Sequence, residues 1–487
     1  MTEQAPRLRA MFCDHLSIMR GKYLPASKMQ DDESRFARPT FSVHYDKDLL
    51  IEAPGTMCLE GIPDMALRWK GEEIRQGWEP GTRVVLGDLY GGDGTPVPMC
   101  PRGALKRAVA GWEKHGLTPK VGIELEAYAF VRNDDGTIVP YDTPGGVVYG
   151  TGNFADPRRF TDAIWNKAQE IGLPLDLITN EYDTPQYEFT LTFDTAVEHV
   201  DNVVLFRQMA REIAFDHGII LTFLPKPILT KGGSGMHVNL SFTDAKDHNA
   251  LAHGDRGDPA NMNDLAKGCI AGWMHHHKGM AGLIAPNALS YNRLQPASLS
   301  GYWCNWGGDN RNVTVRVSAE GGKKARLEHR MADAAANPYT VVATVLQAAL
   351  LGYEGKYDLQ SRETGDGFTG NDAEYGVAAS LTEVHAVLQQ CTPGFAVVDL
   401  KIKGEASGLA CVQALHLASG AMRIVVLTGF ASIATAVEAI KLGACHYLAK
   451  PSNTDDIEAA FGRSEGTTEV ALTSRPSSIK TLEWERI

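Results

Sequence analysis

The sequence of 487 residues lacks several features that would place it in a common functional class. It has no apolar run of the roughly 20 residues that a membrane-spanning helix needs. Its formal net charge of -12 provides no basic excess for general binding to nucleic acid. These absences predict a protein with neither a membrane-spanning segment nor a nucleic-acid partner.

Cysteine pairs and targeting signals are also missing. The eight cysteines are scattered without a CxxC pair or a zinc-type spacing, so reduced thiols are expected. The first residues, Met1 to Gln4, lack the basic and apolar regions of a secretory signal, which predicts a cytoplasmic location. The run His275 to Lys278 looks like a metal site, but consecutive helical residues point in different directions, so a solvated helix face is the better interpretation.

The length and composition favour two to four globular domains, with 44% hydrophobic and 22% charged residues. Residues 1–100 are rich in Gly and Pro and contain short apolar runs, which predicts a small, mostly β N-terminal domain. A helix is predicted from Pro101 to a stop at Gly116.

Beyond that helix, the predicted strands pair one apolar face with one polar face. Glu124 and Glu126 project from the same side of a strand, where two carboxylates repel each other unless a cation lies nearby. Glu188 and His237 lie on similar polar faces, and a Gly-rich approach before His237 lets the backbone come close to a ligand. No Gly-Lys-Ser/Thr follows these glycines, so the segment is not a Walker loop. A solvated strand edge is the alternative to a metal site.

The stretch from Lys323 to Arg330 carries the densest charge. As a strand, it puts Arg326, Glu328 and Arg330 on one face. Two guanidinium groups beside a carboxylate suit a site for phosphate, a metal ion and a substrate carboxylate. The alternative is a solvated strand with a cross-strand ion pair.

Together, these polar faces predict a concave sheet front that binds two hard divalent cations and a polyphosphate. The candidate metal ligands are Glu124, Glu126, Glu181, Glu188, His237 and Glu328. The candidate anion-binding groups are Arg293, Arg311, Arg316, Arg326 and Arg330.

These motifs resemble, in order and spacing, those of the glutamine synthetase superfamily over about residues 10–385. The motifs are Glu124-Leu125-Glu126, the Glu181 to Glu188 segment, Gly233-Ser234-Gly235-Met236-His237, Asn292-Arg293-Leu294, Asn310-Arg311, Arg326 to Arg330, and Ala336-Asn337-Pro338-Tyr339. The resemblance implies an α+β fold, with a β-grasp N-terminal domain and a catalytic domain at residues 101–385 built on an antiparallel half-barrel. It also implies a homo-oligomer of stacked rings, with active sites between neighbouring subunits.

The resemblance also assigns roles to individual residues. It implies one metal site with the ligands Glu126, Glu181 and Glu188. It implies a second metal, bridging the ATP phosphates, with the ligands Glu124, His237 and Glu328. The implied nucleotide and phosphate contacts are Arg316, Arg326 and Lys323, with Gly233 and Gly235 at the close backbone approach. The implied holders of the amino-acid carboxylate and the transferred phosphoryl group are Arg293, Arg311 and Arg330.

The implied reaction uses ATP and Mg²⁺ or Mn²⁺ in two steps. ATP phosphorylates the side-chain carboxylate of a glutamate-like substrate, and an amine then attacks the acyl phosphate to form a γ-glutamyl amide. Two departures concern the amine. Leu299 replaces a glutamate that helps deprotonate ammonium, and the N-terminal ammonium loop is missing near residues 55–61. We therefore expect an organic amine, as in the γ-glutamyl-polyamine and γ-glutamyl-amide ligases, with ammonia as the alternative. Gly232 and Asn239 also depart from the family pattern.

The pattern changes beyond about residue 385. Three short predicted strands place Asp399, Thr428 and Lys450 at their carboxyl ends, which indicates a doubly wound, flavodoxin-like parallel sheet. This arrangement resembles a receiver domain of the redox-responsive regulators over residues 386–465. The resemblance implies Asp399 as phospho-acceptor, Thr428 as switch hydroxyl, Lys450 as phosphate contact, and a histidine kinase as partner.

The receiver resemblance is partial, because no first strand ending in an acidic pair is found. Residues 466–487 resemble a linker and the start of a truncated helix-turn-helix, so no DNA binding is expected. Two joined genes and a natural fusion with decayed signalling parts both fit this pattern. The alternative function is a phosphorelay signalling protein with an inactive synthetase-like scaffold, and the missing acidic pair counts against it.

Overall fold

The computed structural model describes residues 5–30, 32–251, 261–318 and 320–367, and shorter C-terminal ranges at 384–385, 388–389, 392–400, 407–428, 433–449 and 454–462. The chain forms two compact units, residues 1–370 and 371–487. Among the described residues, no helix is long and apolar enough to cross a membrane.

The first hundred residues of the first unit form two small sheets. Their strands are β1 (Arg7–Cys13), β2 (Met19–Pro25), β3 (Glu33–Ala37), β4 (Asp64–Arg68), β5 (Arg75–Gln76), β6 (Thr82–Leu86) and β7 (Asp88–Tyr90). One sheet has the order β2-β1-β6-β5, with β1 and β6 parallel at its centre. The other is the antiparallel sheet β3-β4-β7.

Strand β1 contributes to two hydrophobic cores. Leu8, Ala10 and Phe12 pack into a small core within the N-terminal part. Met11 and Cys13 point the other way, into the large core of the unit. Because side chains alternate along a strand, one short sequence can serve both cores.

The large core lies behind a ten-stranded sheet. Its strands are β8 (Thr118–Arg132), β9 (Ile138–Pro140), β10 (Leu175–Asn180), β11 (Gln186–Leu191), β12 (Asp194–Thr195), β13 (Ile220–Thr222), β14 (Met236–Thr243), β15 (Trp306–Gly308), β16 (Val315–Val317) and β17 (Leu327–His329). The main order is β10-β11-β8-β14-β17-β16-β15, and β9, β12 and β13 also pair with β8. These pairs are antiparallel except β15–β16.

The long strand β8 shows why one face of this sheet is available for chemistry. Val121, Ile123 and Leu125 are fully buried on its apolar face. Glu124 and Glu126 alternate with them and remain partly exposed on the other face. The alternation predicted from the sequence is therefore confirmed at this strand.

Six α-helices are found in the part of the first unit that the structure describes. They are α1 (Pro101–Glu113), α2 (Phe160–Ile171), α3 (Ala196–Asp216), α4 (Asp264–Ile284), α5 (Ala288–Arg293) and α6 (Pro338–Gly355). Helices α4 and α6 cross closely at Gly272, which has no side chain. A Cβ atom there would collide with the backbone of Ala348 and Gly352. The indole of Trp273 in α4 also donates to the carbonyl of Val345 in α6 at 2.8 Å.

The second unit contains a three-stranded parallel sheet. Its elements are β18 (Phe395–Asp399), α7 (Gly408–Ala418), β19 (Arg423–Thr428), α8 (Ile433–Lys441), β20 (His446–Ala449) and α9 (Thr454–Phe461). The strand order is β18-β19-β20. Val398, Val412 and Ile424 are part of its hydrophobic core. Parallel strands alternating with helices agree with the predicted doubly wound pattern.

Candidate active site

Strand register brings the predicted metal ligands together on one face of the ten-stranded sheet. Glu126 on β8 lies opposite Glu188 on β11. Glu124, two residues earlier on β8, lies opposite His237 on β14. The next strand pair, β14 and β17, places Glu328 opposite Asn239. Side chains that are distant in sequence therefore share one polar surface.

Two groups of these side chains have the spacing of metal-ion ligands. In each group, the candidate ligand atoms lie within 4.8 Å of one another. One group is Glu126, Glu181 and Glu188, and the other is Glu124, Glu188 and His237. Carboxylate oxygens are the donors that Mg²⁺ and related hard cations prefer, and imidazole also binds divalent metals such as Mn²⁺. The residues therefore fit two neighbouring divalent cations, with Glu188 common to both groups.

The carboxylates of this cluster perturb one another strongly. Burial, together with the charges of Glu124, Glu126 and other neighbouring carboxylates, raises the pKa of Glu188 to about 9. Burial and the charge of Glu126 also raise the pKa of Glu181. Burial would raise the pKa of Glu124 as well, but hydrogen bonds from His237 and Asn239 outweigh it and hold that pKa well below its usual range. A bound cation would favour the ionised form of Glu188.

Several hydrogen bonds orient the cluster. The side-chain amide of Gln186 donates to Glu126 Oε2 at 3.0 Å and to the carbonyl of Gly233 at 3.0 Å. The backbone amide of Gly235 donates to the same carboxylate oxygen at 2.8 Å. Asn239 Nδ2 donates to Glu124 Oε1 at 3.0 Å. Metal-ligating carboxylates commonly have such outer hydrogen-bond partners, which fix their orientation.

The sequence did not predict the orienting role of Asn239, which departs from the family pattern at this position. Its side-chain oxygen accepts a hydrogen bond from Arg326 Nε at 3.2 Å while its amide nitrogen holds Glu124. Asn239 therefore connects a candidate metal ligand to a candidate nucleotide contact. Its position two residues after His237, on the same polar face, was the available signal.

Close packing requires glycine at positions 233 and 235, in addition to the predicted close approach of a cofactor. A Cβ atom at Gly233 would lie 2.5 Å from Arg293 Cγ. A Cβ atom at Gly235 would lie 2.7 Å from Arg293 Nη2 and 2.8 Å from His237 Nε2. A side chain at either position would displace groups of the site.

Glu328 lies between two guanidinium groups. Arg316 Nη1 donates to its Oε2 at 2.9 Å, and Arg330 Nη1 donates to its Oε1. The side chain is 3% exposed, and its Oε1 lies 3.8 Å from His237 Nδ1. Among the described residues, neither ligand group includes Glu328. It borders the second group, and the two arginines hold it.

The remaining cationic residues differ in exposure. Arg326 Nη1 donates to Glu320 Oε2 at 2.7 Å, and Arg316 also pairs with Asp309 at 2.7 Å. Lys323 is exposed on a short 3₁₀ turn, and Arg311 is exposed in the loop before β16. These side chains supply positive charge near β16 and β17, at one side of the polar sheet face.

Arg293 is buried beneath the site. Its Nη1 donates to the carbonyl of Met331 at 2.7 Å, and its Nη2 donates to the carbonyl of Arg330 at 3.1 Å. The guanidinium thus holds the backbone that follows β17. Its charge also acts on Glu126, so it lies at the edge of the carboxylate cluster.

The predicted phospho-acceptor residues lie in the second unit. Asp399 is the last residue of β18, and Thr428 is the last residue of β19. The two strands are parallel neighbours, so these residues occupy the same edge of the sheet. Lys450 and the side chain of Thr428 lie outside the described residues.

Two family models match the chain. The glutamine synthetase catalytic domain matches residues 98–397, and the response regulator receiver domain matches residues 361–461. The glutamine synthetase of Pyrococcus woesei is 30% identical over 354 residues, covering 72% of this chain and 76% of the relative. The glutamine synthetase of Thermococcus kodakarensis is 33% identical over 318 residues, covering 65% and 70%.

Solved structures show the same fold. A novel glutamine synthase homolog superposes with a TM-score of 0.65 at 24% identity, covering 74% of this chain and 85% of that one. GmaS in its complex with ADP superposes with a TM-score of 0.63 at 24% identity, covering 91% and 93%. At this level of identity, the likeness establishes the fold and leaves the substrate open.

Proposed function

Because the chain belongs to the glutamine synthetase family and includes a receiver domain, we propose that it is an ATP-dependent ligase joining a glutamate-like γ-carboxyl group to an organic amine. The observation that carries this proposal is the cluster of Glu126, Glu181 and Glu188 within 4.8 Å, beside Glu124 and His237. Bound Mg²⁺ or Mn²⁺ would supply the positive charge that phosphoryl transfer from ATP requires.

Different residues on the polar sheet face would bind the two cations and the nucleotide. Glu126, Glu181 and Glu188 would hold one cation, and Glu124 and His237, with Glu328 beside them, would hold the other. The proposed nucleotide contacts are Arg316, Arg326 and Lys323, with Gly233 and Gly235 at the backbone approach. Their support is that Arg326 donates to Asn239, which holds Glu124, and that Lys323 is exposed three residues before it in the chain.

Arg330, which follows β17, would stabilise the charge that develops on the phosphoryl oxygens, together with Arg311 and Arg293 from other parts of the chain. Arg330 already contacts a carboxylate of the site and lies 3.5 Å from His237 Nδ1. Arg311 is exposed and free to approach an anion, and Arg293 would act on the substrate carboxylate from below. Preorganised cations of this kind lower an electrostatic barrier without reorganising during the reaction.

The proposed amine is organic because the chain lacks a carboxylate where ammonium would be deprotonated. Leu299 occupies the position at which the family has a glutamate, and its side chain is 49% exposed. An apolar side chain neither stabilises a small cation nor accepts its proton. Ammonia remains the alternative nucleophile.

A homo-oligomer is also proposed, because one N-terminal segment exposes several apolar side chains. The N-terminal segment from residue 49 to 62 exposes Leu49, Leu50, Ile51, Leu59 and Ile62, each by 48% or more of its surface. Apolar side chains clustered in one exposed segment commonly mark a protein interface. Ring assembly through a neighbouring subunit would cover them.

The amine proposal is tested by measuring ATP-dependent phosphate release with glutamate and a panel of alkyl amines, diamines and ammonium. We expect an organic amine to exceed ammonium in kcat/KM by about tenfold or more, because a single methylene held in an apolar pocket is worth that much. Mass spectrometry identifies the amide. Preference for ammonium contradicts the amine assignment, and absence of any amide product from the Mg²⁺-bound protein contradicts the ligase.

The receiver domain supports a second candidate function, phosphorelay signalling with a histidine kinase as partner. Asp399 lies at the carboxyl end of β18, where a phospho-acceptor would be placed. Labelling of the parent protein and of Asp399→Asn by acetyl phosphate, with and without Mg²⁺, distinguishes phosphorelay signalling from the ligase function. We expect weak labelling because the acidic pair that holds Mg²⁺ was not found in the sequence. Strong Mg²⁺-dependent labelling would favour signalling.

A further inference from the structure

The backbone between β17 and α6, residues 330–337, is held from below by buried arginines. It begins at Arg330, which contacts Glu328, and ends at Asn337, whose side chain caps α6 by accepting from Thr340 N at 3.1 Å. Met331, Ala332 and Ala334 within it are almost fully buried. Arg293 donates to its first two carbonyls. The position of Arg330 therefore depends on what holds this segment.

Arg207 on α3 holds the other half of the segment. Its Nη1 donates to the carbonyl of Ala334 at 3.0 Å and to that of Ala336 at 3.1 Å. Its Nη2 donates to the carbonyl of Ser17 at 3.2 Å and to the Ser17 hydroxyl. The residue is only 9% exposed. One guanidinium thus joins the 330–337 segment to the turn between β1 and β2.

The turn between β1 and β2 is itself fixed against the same segment. Ser17 has a φ of 67°, in the left-handed region that non-glycine residues rarely adopt. Its hydroxyl also donates to the carbonyl of Ala336 at 3.3 Å, and Asn337 Nδ2 donates to the carbonyl of Asp14 at 2.6 Å. The turn of the N-terminal sheet and the segment that begins at Arg330 therefore meet at Arg207.

We propose that Arg207 is a positioning residue that sets the place of Arg330 and couples it to the turn at Ser17. This rests on the proposed function, in which Arg330 acts on the transferred phosphoryl group. A buried charge is costly unless hydrogen bonds compensate it, and the Arg207 guanidinium makes four such bonds. A planar guanidinium can serve four oxygens on two segments at fixed angles, whereas a lysine ammonium has three donors on a flexible stem.

The nucleotide contacts lie elsewhere, which makes the proposal separable from a general loss of structure. Arg316 donates to Asp309 and Glu328, and Arg326 donates to Asn239 and Glu320. None of these acceptors lies in the 330–337 segment, and Arg316 meets Arg330 only through the carboxylate of Glu328 that both of them hold. Displacing Arg330 would therefore slow the chemical step while leaving nucleotide affinity nearly unchanged.

The test compares Arg207→Lys with Arg211→Lys, an exposed arginine one helical turn later on α3. We expect Arg207→Lys to lower kcat by about tenfold to a hundredfold, as sub-ångström to ångström misplacement of a catalytic group does. We expect KM for ATP and Kd for ADP to stay within about twofold, because binding contacts are retained. Arg211→Lys should match the parent protein.

A second variant, at Ser17, tests the coupling between Arg207 and the turn from β1 to β2. Ser17→Gly removes the hydroxyl while relieving the left-handed backbone, so the fold is retained. It should lower kcat in the same direction as Arg207→Lys, and the double variant should lose less than the product of the two single effects. Independent, multiplicative effects would overturn the coupling.

Hydrogen exchange gives a readout that does not depend on activity. Arg207→Lys should increase amide exchange jointly at residues 16–18 and 334–336, with the amides of β8 and β14 unchanged. If the parent protein forms no amide product, the ligase proposal fails while this joint exchange still decides the coupling. Parental kcat in Arg207→Lys, or an equal rise in exchange across the whole sheet, would overturn the positioning role.

Discussion

Glu188→Gln should make the metal-free protein more stable while removing its activity. Glu188 lies among four other carboxylates, and its pKa is raised from 4.5 to about 9. In the unfolded chain the same carboxyl ionises near its ordinary pKa. The folded protein therefore binds a proton that the unfolded chain releases, and folding loses stability as the pH rises through this window. Glutamine keeps the shape of the side chain and removes this loss.

The size of the effect follows from the pKa. The loss is about 1.4 kcal/mol for each pH unit above 4.5. At pH 7, this reaches an upper limit of about 3 kcal/mol, and partial solvent contact reduces it to about 1–3 kcal/mol. For a chain of this size, the thermal midpoint should rise by roughly 1–4 °C in EDTA at pH 7. Near pH 4.5 the difference should vanish.

The assay is thermal unfolding of the parent protein and Glu188→Gln between pH 4.5 and 9, in EDTA and in excess Mg²⁺. In Mg²⁺ the order should reverse, because the variant loses a ligand oxygen and with it the stabilisation that ion binding gives. Glu113→Gln, an exposed carboxylate on α1, is the control and should show no pH-dependent change. A lower midpoint for Glu188→Gln in EDTA, or a gain that does not vary with pH, would refute the electrostatic reasoning.

Three further predictions concern Glu328, the proton released on metal binding, and the crossing of α4 and α6. Glu328→Gln should keep the far-UV spectrum and lower ATP turnover by about a hundredfold or more. Glu328→Ala should in addition unfold at lower temperature, because it leaves Arg316 and Arg330 without their shared carboxylate. Mg²⁺ binding near pH 7.5 should release about one proton, with affinity rising up to pH 9, as measured by calorimetry in buffers of different ionisation enthalpy. Gly272→Val should destabilise the protein by about 3 kcal/mol or more through the α4–α6 crossing, whereas Gly279→Val on the same helix, where a Cβ meets nothing within 4 Å, should be tolerated.

Much of the candidate site could be predicted, because the alternation of side chains along a strand depends only on neighbouring residues in the sequence. The alternation around Glu124 and Glu126 indicates their shared face without any knowledge of the fold. The resemblance to both the glutamine synthetase and receiver families is confirmed by the family models. The two models overlap at residues 361–397, so sequence similarity alone gives no sharp border there.

The remainder depends on strand register and on distant contacts. That Glu188 lies opposite Glu126 and belongs to both ligand groups follows from the pairing of β8 and β11, which no local pattern specifies. Strand β17 spans only Leu327–His329, so Arg326 and Arg330 flank it rather than lie within it. Arg207 was missed because an arginine on a long helix has no local sign that it will be buried against carbonyls from two other segments.

The two faces of β1 have a consequence for exchanging parts between relatives. Met11 and Cys13 fill space in the large core, while Leu8, Ala10 and Phe12 fill the small one. A chimera that takes its first hundred residues from a relative would have to match side-chain volumes in both cores at once. The N-terminal part is thus built into the body of the protein, and recombination would be best tolerated at borders that leave β1 with its own partners.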